Sequence, residues 1–195
     1  RDGTRARDEL NMFWFSANGY AYARVDISGT GDSDGLVEDE YVLREQDDGL
    51  EVIDWLSKQL WCSGAVGMIG ISWGGFNGLQ IAARRPTALK AVISVCSTVD
   101  RFNDDVHYMG GCLLNDNLDW GAAFFTYGAL PPDPEIVGEK SWKKIWEDRI
   151  NGIELFPAKW LKHQSRDVFW KHGSVKENYG SIDCPVMAIS GWADG

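Results

Sequence analysis

The chain has 195 residues, of which 44% are hydrophobic and 25% charged, and its net charge is -10. That length makes one domain, or one domain with a sizeable insertion, and the balance is that of a globular protein with a real core. So acidic a chain excludes a nucleic-acid backbone as partner, which needs a basic face, and no apolar run approaches the ~18 residues of a membrane span.

In chain order, Leu10, Phe13, Trp14 and Ala17 fall at helical spacing and predict a helix from about residue 5 to 17, closed by Asn18-Gly19. "YAYARVDI" (20–27) predicts a strand, and "SGTGDSDG" (28–35) the loop after it. A second helix is predicted over roughly 42–60, with Leu50, Ile53, Trp55 or Leu56, and Leu60 on its apolar face. "AVGMIGIS" (65–72) has the composition of a strand buried on both faces. "GGFNGLQIAARR" (74–85) reads as a helix whose Gly75, Gly78 and Ala82 let it lie close on a sheet, and "LKAVISVCS" (89–97) as the next buried strand. Helices and strands alternating in this way imply βαβ units and a parallel sheet.

The rhythm breaks after residue 97. "LPPDPE" (130–135) predicts an extended link. "SWKKIWEDRI" (141–150) predicts a helix capped by Ser141, and "PAKWLKHQSRDVFW" (157–170) a helix opened by proline. "CPVMAISG" (184–191) returns to buried-strand composition. The expected organisation is an α/β core over 1–97, a helical cap inserted over 98–183, and a return to the core sheet over 184–195. The four cysteines, Cys62, Cys96, Cys112 and Cys184, form no C-x-x-C pair and read as thiols of a reducing compartment, hence a cytoplasmic protein.

"GISWGG" (70–75) places a G-x-S-x-G pattern where a buried strand meets a small-residue helix, as a nucleophile elbow requires. The turn would lift Ser72 out of the sheet, and the Trp73 backbone N–H at the helix N-terminus would face a developing oxyanion. The plainer alternative is a serine in a glycine-rich βα junction. A phosphate-binding loop would want a lysine and a longer glycine spacing, and has neither.

A serine nucleophile needs a base and a group that orients it. In α/β-hydrolases the order is Ser, then Asp or Glu, then His, and Asp194 in "SGWADG" (190–195) ends the last predicted strand where the acid belongs. The histidine would follow, yet His107, His163 and His172 all fall in the cap. The expectation is therefore a fragment that stops before its histidine, and one that begins without Met.

"RDGTRARDE" (1–9), "GYAYARVDISGTGDSDG" (19–35), "GISWGG" (70–75), "DDVHYMGG" (104–111), "WKHGS" (170–174) and "CPVMAISGWADG" (184–195) together resemble the CocE/NonD-type α/β-hydrolases. That group includes cocaine esterase, X-prolyl dipeptidyl-peptidases, glutaryl acylases and α-amino acid ester hydrolases. The resemblance implies an α/β-hydrolase core with Ser72 as nucleophile and Asp194 as acid. It places the histidine beyond Gly195, a second oxyanion donor (a tyrosine hydroxyl) before residue 1, and a C-terminal jelly-roll-like domain outside the chain. One departure is Ser28, where the family's D-x-R-G pattern has an arginine with a structural role.

Asp104 and Asp105 open the cap, and the resemblance implies that a carboxylate there holds a substrate ammonium group; capping the first cap helix is the alternative. Among the histidines, His107 is the one expected to line the pocket. The cap's Trp120, Trp142, Trp146, Trp160 and Trp170, with Phe124, Phe125 and Tyr127, are expected to be cap core for the most part, with one or two facing an acyl group. The reading is a serine hydrolase acting on a small ester, amide or peptide substrate, with no metal or organic cofactor and no nucleic-acid or membrane partner. An acyltransferase with the same triad and a non-catalytic hydrolase-like module are the alternatives.

Overall fold

The computed structural model describes residues 2–193, with side chains from Asp8 onward. Its elements in order are α1 (Asp2–Ala17), α2 (Leu43–Ser57), β1 (Val66–Ile71), α3 (Trp73–Ala83) and β2 (Leu89–Val95). A short hairpin, β3 (Tyr108–Met109) and β4 (Cys112–Leu113), follows. Then come α4 (Asp116–Ala129), α5 (Pro134–Val137), α6 (Trp142–Gly152), α7 (Phe156–Trp160) and α8 (Val168–Lys171), and the last strand is β5 (Val186–Ile189). Among the described residues no helix is long and apolar enough to cross a membrane.

The core sheet has the order β1-β2-β5 and is parallel throughout. Residues 96–185, which carry the hairpin and helices α4 to α8, lie between two neighbouring strands. Alternate residues of a strand face opposite ways, so Val66, Met68, Val92 and Val186 share the face that α3 covers. There Ile53 of α2, Ile81 and Ala82 of α3, and Leu89 and Val92 of β2 form one apolar cluster. Gly49 brings α2 close, because a Cβ at that point would run into the Ile81 Cδ1 methyl.

Five expectations need correction. The opposite face, carrying Ile69, Ile71, Met187 and Ile189, is partly exposed, so the strands are not buried on both sides in this structure. Residues 20–27 form no strand: Tyr20 and Val25 are exposed, and without a neighbour to supply a ladder the β-rich composition has nothing to pair with. On α2, Ile53 is buried and Leu50 packs beside it, whereas Trp55 and Leu60 stand in solvent. The helix expected over 157–170 is broken in two. Trp170 Nε1 donates to the His163 carbonyl, the Asp167 N–H turns to Ser165 O instead, and the Asp167 side chain caps α8 by accepting from Phe169 N. Ser141 precedes α6 but makes no side-chain capping bond.

The segment between β2 and β5, the expected cap, has its own core, in which the fully buried Phe124, Phe156, Trp160 and Trp170 cluster with Phe102, Tyr108 and Val37. Val37 belongs to the loop ahead of α2, so that loop already reaches across. Ser28, which stands where an arginine was expected from the resemblance, donates to Asp48, and Arg44 supplies the cation to the same carboxylate at 2.7 Å.

Candidate active site

Ser72 stands between β1 and α3 with φ 52° and ψ -118°, a backbone conformation that a residue with a Cβ adopts only where its surroundings enforce it. Three contacts enforce it here. The Ser72 N–H donates to Val95 O of β2 at 2.8 Å, and Phe76 N donates back to Ser72 O at 3.0 Å, closing the first helical turn. Gly70 crosses so close to Gly74 that a Cβ on Gly70 would overlap the Gly74 carbonyl group. The first glycine of G-x-S-x-G is thus a steric requirement of a chain folding back past itself, whereas a Cβ on Gly74 would meet open space.

Ser72 is exposed, and its hydroxyl makes no hydrogen bond among the described residues. The three strands end side by side: Cys96 N, just after β2, donates to Ile189 O at the end of β5. Ligand sites in open parallel sheets lie at this carboxyl edge. Asp194, the expected acid, follows β5 but lies outside the described residues. Trp73 heads α3, as an oxyanion donor must, and its indole packs edge-on against Trp120 and Phe124 of the cap at ring distances of 5.9 and 4.8 Å.

The histidines are all occupied elsewhere. His163 Nδ1 meets Asp167 at 2.6 Å, and His172 Nε2 donates to Tyr41 O at 2.8 Å. His107 has no exposed surface, which corrects the expectation that it lines the pocket. It lies between Trp160 and Trp170, its Nε2 2.6 Å from Glu40 Oε1 and its Nδ1 2.8 Å from Asn117 Oδ1. With an acceptor facing each ring nitrogen, the surroundings favour the protonated imidazole: burial opposes its charge, and Glu40 outweighs that and raises the pKa.

Sequence reasoning missed Glu40, the hub of this region. Its carboxylate is fully buried and also accepts from Arg101 and from Trp120 Nε1, both at 2.7 Å. Burial pushes the carboxyl up, but the His107 and Arg101 charges pull it down to about 2. Arg101 is itself buried, over the Tyr41, Phe169 and Trp170 rings. Next to Glu40, Asp39 accepts from Trp160 Nε1 at 2.8 Å and pairs with Lys159 at 2.9 Å. The one signal available was the acidic run "EDEY" (38–41), too acidic for a buried segment unless cations come from elsewhere in the chain.

Asp105 is nearly buried. Its Oδ1 accepts from Val106 N, its Oδ2 has no partner, and burial and the Glu40 charge raise its pKa to about 7. Glu40, Asp105 and His107 each bring a potential metal-ligand atom within 4.8 Å of the others. Of this group, Glu40 is shared by three donors and His107 is bonded at both ring nitrogens, while Asp105 keeps one oxygen without a partner. Asp104, by contrast, is exposed.

Comparison with known proteins bears on the family and the fold. The family model described as X-Pro dipeptidyl-peptidase (S15 family) matches residues 1–195. Cocaine esterase of Rhodococcus sp. (strain MB1 Bresler) is 28% identical over 210 residues, covering 95% of this chain and 35% of that protein. A Mycobacterium bovis protein whose name proposes a serine esterase is 33% identical over 188 residues, covering 95% of this chain and 28% of its own. The chain therefore spans about a third of the length of these relatives. A solved CocE/NonD family hydrolase of Staphylococcus aureus superposes with a TM-score of 0.60 at 26% identity, over 80% of this chain and 25% of that one. An α-amino acid ester hydrolase shares the fold, with a TM-score of 0.58 at 22% identity over 85% of this chain and 30% of that one. These matches show the family: the chain belongs to the X-Pro dipeptidyl-peptidase (S15) family, within the CocE/NonD-type α/β-hydrolases.

Proposed function

We propose that this chain carries the nucleophile of a serine hydrolase that cleaves ester or amide bonds. The observation that carries the reading is the Ser72 turn: a serine, exposed and backbone-strained, between a parallel strand and a helix N-terminus. In the reaction Ser72 Oγ attacks the carbonyl carbon and its proton passes to a base. The alkoxide oxygen is held by the Trp73 N–H, and collapse expels the alcohol or amine to leave an acyl-serine that water then hydrolyses.

The base in this reading is a histidine other than His107, His163 and His172, because each of those is committed to a cap partner. It is supplied from outside these 195 residues and oriented by Asp194. The core then corresponds to residues 1–97 and 184–195 and the cap to 98–183. Of Asp104 and Asp105, Asp104 is the exposed one and so the one open to a substrate.

The test is covalent labelling. In the full-length protein a fluorophosphonate probe is expected to label Ser72, and Ser72→Ala to abolish labelling and ester turnover together. Labelling that survives Ser72→Ala overturns the assignment. The isolated 195-residue chain is expected to turn over a p-nitrophenyl ester at least about a thousandfold more slowly, since a triad serine without its base loses that much. Turnover by the short chain at the full-length rate would return the base to a cap histidine.

A further inference from the structure

Glu45 is an acid that the reaction above leaves unused. It sits in the first turn of α2, nearly buried, and it reaches two separate segments. Its Oε2 accepts from Tyr41 N and its Oε1 from Asn77 Nδ2, both at 2.7 Å. Tyr41 has φ 59°, a conformation unfavourable for a bulky side chain, and its N–H is fixed by this bond alone. Its ring packs on Phe76 at 4.9 Å. Phe76 and Asn77 lie in the opening turns of α3, and Phe76 N is the donor that closes the turn on Ser72 O.

We propose that Glu45 is a positioning residue for Ser72: its carboxylate ties the strained Tyr41 backbone to the first turns of α3, and the tie requires the ionised form. The inference rests on the reading of Ser72 as nucleophile. A carboxylate offers an acceptor oxygen to each donor, whereas a carboxylic acid must place its own O–H, and both oxygens already face N–H groups. Asn77 offers the way out. Its Oδ1 is buried without a partner, so the amide can turn and accept the Glu45 proton, which releases the Asn77 Nδ2 bond. Protonation therefore swaps the clamp for a looser arrangement.

The surroundings hold this exchange in a working range. Burial raises the Glu45 carboxyl, the bonds from Asn77 and Tyr41 N lower it in part, and the Glu40 charge from the neighbouring loop raises it again, to about 7. The α3 face brings no cation, only Trp73 and Asn77. From the cap, Arg101 and His107 are spent on Glu40, and Asp105 adds a second acid near Tyr41. On α2 itself Arg44 pairs with Asp48, and Arg84 at the end of α3 pairs with Asp47.

The experiment is the rate of fluorophosphonate inactivation of the full-length protein between pH 5 and 9, for wild type, Glu45→Gln and Ser72→Ala. The wild-type rate is expected to depend on two deprotonations, the base histidine and Glu45, so its logarithm climbs with a slope above one across about one pH unit near the Glu45 titration and with a slope near one below it. Glu45→Gln is expected to climb with a slope near one and to be about tenfold slower at pH 8, the loss of one charge-assisted bond. An acid limb unchanged by Glu45→Gln overturns the inference, and so does an undiminished rate at pH 8. Labelling of Ser72→Ala would instead overturn the reading of Ser72. A second measurement needs no variant. Amide-exchange protection of Phe76 and Asn77 in the wild-type chain is expected to rise between pH 6 and 8; a flat profile overturns the inference.

Discussion

Helix α3 has two sides that are held in opposite ways. Toward the sheet and α2, Ile81 and Ala82 meet Val92, Leu89 and Ile53 in a contact without a charge. Toward the cap, Trp73, Phe76 and Asn77 meet a region whose hubs are Glu45, Glu40, Arg101 and His107, all buried and ionisable. The apolar side places the helix, since burial is non-directional and tolerates small shifts. The polar side fixes it, since a buried carboxylate must meet its donors at particular distances or lose them altogether. The Ser72 turn is held from both sides.

Breaking the polar side is expected to cost most. Arg101→Ala leaves Glu40 buried without its guanidinium, so unfolding in urea should show a loss of about 3–5 kcal/mol. Replacing both partners, as in Glu40→Leu with Arg101→Met, should recover much of it, because no charge is then left unpaired. If the pair of changes costs as much as the single one, the aromatic stacking on Arg101 matters more than its charge.

The polar side also carries a pH signature that the apolar side lacks. Glu45 has an ordinary pKa of 4.5 when unfolded and about 7 when folded. Between those values the folded state binds more protons, so stability falls as pH rises through that window, by up to about 3 kcal/mol for a fully buried group. Asp105 acts with the same sign from 3.8 to about 7, and so does His107, whose stabilising charge is lost as pH passes its raised folded pKa. Urea titrations at pH 5 and 8 should therefore show Glu45→Gln gaining on the wild type with rising pH. The clamp that aids Ser72 would then be a local cost to the fold, as functional sites often are.

The smallest effect belongs to the apolar side. Ile81→Val removes the methyl that Gly49 makes room for and should cost about 1 kcal/mol at every pH. A pH-dependent loss there would mean that the two sides of α3 are coupled.

The same contrast decides what could be read from the chain alone. β1, α3, β2 and β5 are legible because burial of an apolar face imposes a period on neighbouring residues, and Gly70 is legible because the chain passes too close there for a Cβ. The Glu40 cluster draws on residues 40, 101, 107, 117 and 120, which no local pattern connects. His107 was noticed but assigned to a pocket, since a histidine in a cap gives no sign that a distant glutamate has claimed it. The break at His163–Asp167 was invisible for a related reason, being made by an indole and a capping carboxylate rather than by proline or glycine.

The reach of residues 38–41 into the cap bears on how such proteins can be recombined. A chimera cut at residues 97 and 184 would import a new cap and discard Arg101, His107, Trp120, Lys159 and Trp160 together. Asp39 and Glu40 would stay behind in the recipient, facing whatever the donor happens to offer. The exchangeable unit is discontinuous, with the loop at 36–42 travelling as part of the cap, and a library built on that boundary should fold more often than one that follows the strand ends.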